Sequence, residues 1–343
     1  LSVKGEKKMI LDEQIDLTLR PMKYPQFFEM YKNSLKNIWT TDELDFSADY
    51  EHLRDKISAQ DAHCIKRLVA FFATADNLVA HNLVLNFYKH VNSPEYRMFL
   101  GKQLFDEMLH VETYLLLVDS YIQDDREKKE AFDAYKNIPS IQAKADFCFR
   151  YMDSLHTLPD LKTAERRQQF VQNLICFAAC VEGLFFFGSF AYVYFMRSKG
   201  LLPGLAAATN WVFRDETIHI EGAMSVIGVL RQEYPDLFDI QLHKKVLKMI
   251  KEAVDIEMGF CKDALSFGVN GLSVGQMQEY IEFVADQRLS QMGYPKHFHA
   301  KNPFAFMVLQ DLQPLTNFFE KRVTEYQKGL DLSQQAIVFD QPF

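Results

Sequence analysis

The chain has 343 residues, 48% hydrophobic and 24% charged, with a net charge of −8 and a pI near 5.7. An acidic balance with no strong basic face excludes nucleic-acid binding as its main role, because phosphates need cations to neutralise them. Thirty Phe against two Trp point to a thick apolar interior. Five cysteines (Cys64, Cys148, Cys176, Cys180 and Cys261) form no CxxC pair, which predicts buried thiols in a reducing, cytoplasmic compartment.

In chain order, residues 1–20 carry little pattern and no apolar run of the signal-peptide type; they read as a loose N-terminal segment. The first long helix is expected over 59–91. Ser93-Pro94-Glu95 then supplies an N-cap, a proline at the first helical position and a first-turn acid, starting a helix that runs to about 122. Further helices are expected at 141–156, 164–198, 205–232, 237–267 and 273–292. Breaks fall at Leu202-Pro203-Gly204, at Pro235 and between Gly268 and Gly271. The most apolar stretch, Leu174 to Met196, has the length to span a bilayer, but Glu182 in its middle would be expensive there. It reads as the central helix of a large core, with no membrane involved. Residues 21–322 are thus predicted to form one all-α domain, followed by a polar tail over 323–343.

Two segments carry chemistry. Phe105-Asp-Glu-Met-Leu-His110 and Phe213-Arg-Asp-Glu-Thr-Ile-His219 each hold Glu-x-x-His, as Glu107/His110 and Glu216/His219. Residues three apart share a helical face, so a carboxylate and an imidazole can reach one metal ion. Each pair follows a lone acid in an apolar helix: Asp76 precedes Glu107 by 31 positions, and Glu182 precedes Glu216 by 34. Four helices folded together would bring four carboxylates and two imidazoles into one core. A set of oxygen and nitrogen donors without thiolate suits iron or manganese better than zinc. The arrangement is similar to that of ferritin-like dimetal carboxylate bundles. The competing account makes Asp76 and Glu182 core acids paired with arginine or backbone, and the Glu-x-x-His pairs surface ion pairs. Burying Glu182 among phenylalanines without a cation would cost several kcal/mol, which favours the metal site.

Tyr114 stands two turns beyond Glu107 on the same face, roughly 10 Å along the axis by helical rise. Phe186 and Phe190 follow Glu182 by four and eight residues and are expected to form an apolar sheath around an oxidised phenol.

These segments, with Asp76 and Glu182 at their spacing, resemble the small subunit of class I ribonucleotide reductase. Asn37-Ile-Trp39-Thr-Thr-Asp-Glu-Leu44 is similar to the family's segment with a redox-active Trp, and Arg214-Asp215-Glu216 to its Arg-Asp-Glu. Lys301-Asn-Pro-Phe304 and Phe318-Phe-Glu-Lys-Arg-Val-Thr-Glu-Tyr326 resemble the segments leading into its tail. The resemblance implies two iron ions per chain, or manganese, activated by O2. It implies a radical on Tyr114 that travels through Trp39 and Tyr326 to a large catalytic subunit, with Asp215 linking Trp39 to a histidine ligand. Tyr114 occupies the radical position where a Mn/Fe branch has Phe, which argues against that branch. The tail, ending Val338-Phe-Asp-Gln-Pro-Phe343, would dock to the large subunit. Long apolar helices needing cover, together with the resemblance, imply a homodimer. The alternative function is a dimetal oxidase of the ligand-binding type, which needs a substrate cavity rather than a docking tail.

Overall fold

The computed structural model describes residues 9–13, 17–152 and 160–307, leaving aside the side chains at 76–81, 85 and 152. Short helices come first: α1 (Pro25–Ser34) and α2 (Ser47–Asp55). The first long helix is α3 (Ala59–Asn82), which widens into a π-helical segment over Leu83–Tyr88. Then comes α4 (Pro94–Tyr121), where the Ser93 hydroxyl accepts from the Tyr96 N–H with Pro94 next in line, as its sequence predicts. Two short helices, α5 (Asp125–Phe132) and α6 (Ala134–Asn137), lead to α7 (Pro139–Met152). The central helix is α8 (Ala164–Ile175), a π-helical segment over Cys176–Phe185, and α9 (Phe186–Ser198). The last three are α10 (Pro203–Glu233), α11 (Ile240–Ala264) and α12 (Val274–Gln291). Among the described residues there is no strand beyond one isolated bridge between Val269 and Leu272.

The expected long helices are present, with ends moved by a few residues. The predicted helix over 141–156 ends at Met152, and 153–159 lie outside the described residues. The predicted 237–267 helix starts at Ile240, where the Asp239 carboxylate accepts from the Leu242 N–H and a 3-10 turn over Pro235–Leu237 precedes it. Helices α1, α2, α5 and α6 and both π segments were not expected.

Four long elements make the core: α3, α4, the central α8–α9 helix and α10. Every residue from 173 to 196 is buried, Glu182 included. This apolar helix is therefore an interior helix of the fold, as its single acid implied. Its cover comes from its own chain, so it is not what calls for a second copy. Among the described residues, uncovered apolar side chains elsewhere include Phe105, Met108 and Leu115 on α4, and Val84 and Tyr88 after α3.

Close approaches fix the site-bearing helices. A Cβ on Gly222 of α10 would stand 2.3 Å from the ring of Phe99 on α4, so glycine lets that ring seat against the helix. The N-terminus of α10 is held by buried Asp49 on α2, which accepts from the Gly204 and Leu205 N–H groups at 2.9 and 2.7 Å. The chain to Pro303 is one compact unit, and a second unit begins at Phe304.

Candidate metal centre

Helix α4 contributes Glu107 and His110, the central π segment Glu182, and α10 Glu216 and His219; all five are buried. Donor atoms of Glu107, Glu182, Glu216 and His219 lie within 4.8 Å of one another. His110 joins them: its Nδ1 is 3.5 Å from Glu107 Oε2 and 3.3 Å from Glu216 Oε1. His219 Nδ1 mirrors it, 3.2 Å from Glu107 Oε1 and 3.5 Å from Glu216 Oε2. Each of these two glutamates thus turns one oxygen to each imidazole, and the imidazole rings are 5.9 Å apart. That is the disposition of carboxylates able to bridge two ions. Glu182 Oε1 accepts from Gln103 Nε2 at 3.0 Å and lies 4.0 Å from His219 Nδ1. Asp76 stands on α3; its side chain lies outside the described residues, as does the whole of Tyr326.

The far nitrogens of both imidazoles meet carboxylates. His110 Nε2 faces Asp215 Oδ2 at 3.4 Å, and His219 Nε2 faces Asp106 Oδ2 at 3.3 Å. An imidazole that donates one N–H to a carboxylate presents its other nitrogen inward as a ligand. Each aspartate comes from the helix opposite its histidine, and each has a cation of its own: Arg214 beside Asp215, and buried Lys102 beside Asp106. Trp39 completes one side, its indole N–H donating to Asp215 Oδ2 at 2.7 Å while its ring stacks on His110 at 6.2 Å.

Electrostatics favour a cation here. Burial pushes the Glu107 carboxyl up, but His219 and His110 more than offset it and hold it at about 2. Burial works against a charge on His219, yet Glu107 and Asp106 raise it well above the ordinary imidazole value. Both oxygens of Glu107, Oε2 of Glu216 and Nδ1 of His219 are buried without a hydrogen bond of good geometry. Groups left so are costly. Divalent ions shared among them would remove that cost and displace the imidazole protons.

Tyr114 is buried on α4 with its ring flat on Phe72, 5.0 Å between centroids and 10° between planes. Phe186 and Phe190 stack on the same Phe72 at 6.1 and 6.0 Å, so they pack against the ring that covers the phenol.

A family model described as ribonucleotide reductase, small chain, matches residues 16–303. The ribonucleoside-diphosphate reductase small chain of Nicotiana tabacum is 39% identical over 91% of this chain and 89% of its own. Small chain 1 of Saccharomyces cerevisiae is 35% identical over 96% of this chain and 78% of its own. The chain belongs to the ribonucleotide reductase small-chain family. Solved structures of that family share its ferritin-like helical fold. The ribonucleotide reductase R2 subunit from Clostridium botulinum superposes with a TM-score of 0.80 at 17% identity, covering 91% of this chain and 96% of its own. The Rnr4 homodimer from Saccharomyces cerevisiae gives 0.72 at 26% identity, covering 93% and 92%.

As a ribonucleotide reductase small chain, this protein serves ribonucleotide reduction. Four residues at the small-chain site escaped the sequence: Asp106, Lys102, Gln103 and Phe72. For Asp106 the signal was present, because both segments read Asp-Glu-x-x-His, as 106–110 and 215–219. For Lys102, Gln103 and Phe72 no local pattern marked them out from other core residues.

Proposed function

We propose that this small chain forms and stores a tyrosyl radical on Tyr114 beside a dimetal centre, and passes it through Trp39 and Tyr326 to a large catalytic subunit. The ligands in this proposal are Asp76, Glu107, His110, Glu182, Glu216 and His219. The observation that carries it is the buried phenol of Tyr114 on the same helix as Glu107 and His110, under the ring of Phe72. With O2, bound iron or manganese would supply the oxidising power to take an electron and a proton from a phenol.

The chain's own residues do the rest. Glu107 and Glu216, each turned to both imidazoles, would hold the ions between the two histidines. Asp106 and Asp215 fix the imidazoles by their far nitrogens. Phe72, Phe186 and Phe190 keep water and reductants from the phenol, which prolongs the life of an oxidised tyrosine. Asp215 accepts from both the Trp39 indole and the His110 imidazole, joining the indole to the ligand shell through one carboxylate. Tyr326 and the segment 338–343 supply the last station and the anchor on the large subunit. Homodimer formation would cover Phe105, Met108 and Leu115 of α4. Five buried free cysteines suit a cytoplasmic setting.

Mixing variants with the large subunit tests this reading. Tyr326→Phe should keep the radical and subunit affinity but lose nucleotide reduction. Deletion of 332–343 should keep the radical and lose affinity. If both variants turn over like the parent chain, the proposed route and docking tail are wrong.

A further inference from the structure

Glu182 enters the site from a π-helical segment, and two buried cations from other helices reach carbonyls of that segment. Arg288 on α12 donates from Nε to the Gly183 carbonyl at 2.9 Å. Lys144 on α7 donates from Nζ to the Phe185 carbonyl at 3.3 Å. Lys144 is 2% exposed and Arg288 7%, so neither is a surface side chain folded back. Lys144 pairs with Glu257 on α11 at 2.7 Å and lies over the rings of Phe71 and Phe260 at 3.7 and 3.8 Å. A buried ammonium is costly unless every donor direction meets a partner, and here a carboxylate, two ring faces and a helix carbonyl provide them.

Glycines make room for the guanidinium of Arg288 and for the carboxylate that pairs with Lys144. A Cβ on Gly183 would stand 2.7 Å from Arg288 Nε, and one on Gly188 would stand 2.4 Å from Glu257 Oε1. The ligand Glu182 and the opening that admits the guanidinium are therefore neighbours in sequence. This π segment runs for ten residues, beyond the usual single turn, and side chains inserted at the backbone ladder can hold a helix out of the α pattern. Return to the α pattern would shift the helix face by roughly 100° for each residue of register. That would turn Glu182 away from Glu107, Glu216 and His219.

We propose that Lys144 and Arg288 are positioning residues for the metal centre, holding the Phe185 and Gly183 carbonyls so that the segment stays wide and Glu182 stays aimed at the site. This rests on the dimetal reading above. The test uses three variants: Lys144→Met/Glu257→Gln, which removes the buried pair together and leaves no lone charge; Arg288→Leu; and Arg288→Lys. Each is titrated with Mn(II) alone, following loss of the free-ion electron paramagnetic resonance signal. Amide exchange is read by mass spectrometry in the metal-free full chain. The parent chain should take up two Mn(II). The pair variant and Arg288→Leu should bind the weaker ion at least tenfold less tightly and exchange faster over 176–190, with α4 unchanged. Arg288→Lys, which keeps a donor, should recover most of the affinity. If the pair variant does not fold, the two Arg288 variants decide alone. Parent-like affinity and exchange in Arg288→Leu would overturn the proposal, as would faster exchange in α4 as well as over 176–190, the mark of general loosening. A parent chain that binds no Mn(II) would instead bring down the dimetal reading itself, and this proposal with it.

Discussion

Buried acids and imidazoles set the chemistry at the scale of single residues. Glu107, Glu216 and His219 hold atoms that lack hydrogen bonds inside a closed core, and Asp106 and Asp215 take up the outer nitrogens of the two histidines. Outer carboxylates of this kind fix ring orientation, and their loss lowers metal affinity by about 10–100-fold. Asp106→Ala should therefore bind Mn(II) or Fe(II) more weakly by about that factor in an equilibrium titration. Glu216→Ala, which removes a bridging candidate, should lose metal outright; full occupancy in that variant would remove Glu216 from the ligand set. The buried cluster of Glu107, His110, Glu182, Glu216 and His219 was legible because Glu-x-x-His appears twice, each time after a lone acid in apolar sequence. The resemblance already implied that Asp215 reaches His110; Asp106 was as visible, one position before its glutamate, but its service to the other helix's histidine, His219, appears only in the folded helices. The cover of Tyr114 by Phe72 was not legible, since a phenylalanine 42 positions away has no periodic relation to it.

Between whole elements, the site depends on how closely α4 and α10 approach. Gly222 admits the Phe99 ring where any side chain would collide. Gly222→Ala should force the helices apart and destabilise the fold by about 1–3 kcal/mol, the usual range for an overfilled core. Urea unfolding checks the magnitude, and metal content should fall along with it. A variant as stable as the parent would mean that Phe99 repacks freely. Long helices were read from their caps and periodicity, and Ser93 performs the capping its sequence announces. The π segments were hidden because their residues continue an ordinary apolar pattern. What widens the central one is tertiary, including the approach of Lys144 and Arg288 from distant helices. The short helices α1, α2, α5 and α6 are too brief for a periodic signal to separate them from loops.

In the molecule as a whole, apolar surface is unevenly spent. The central helix is covered within one chain, whereas α4 leaves Phe105, Met108 and Leu115 at 43%, 46% and 47% exposure. A stripe of this kind fits a second copy of the same face across a two-fold axis. Leu115→Glu should give a monomer by light scattering at micromolar concentration while the parent is a dimer; a parent that is itself monomeric would refute the assembly. The proposed function comes down to a radical at Tyr114 beside two metal ions. Electron paramagnetic resonance on iron-loaded, oxygenated protein, with iron counted in the same sample, tests it most directly. The expected result is two irons per chain and a tyrosyl signal in the parent, with the irons kept and the signal lost in Tyr114→Phe. A fully loaded parent without the signal, or the same signal in Tyr114→Phe, would contradict it.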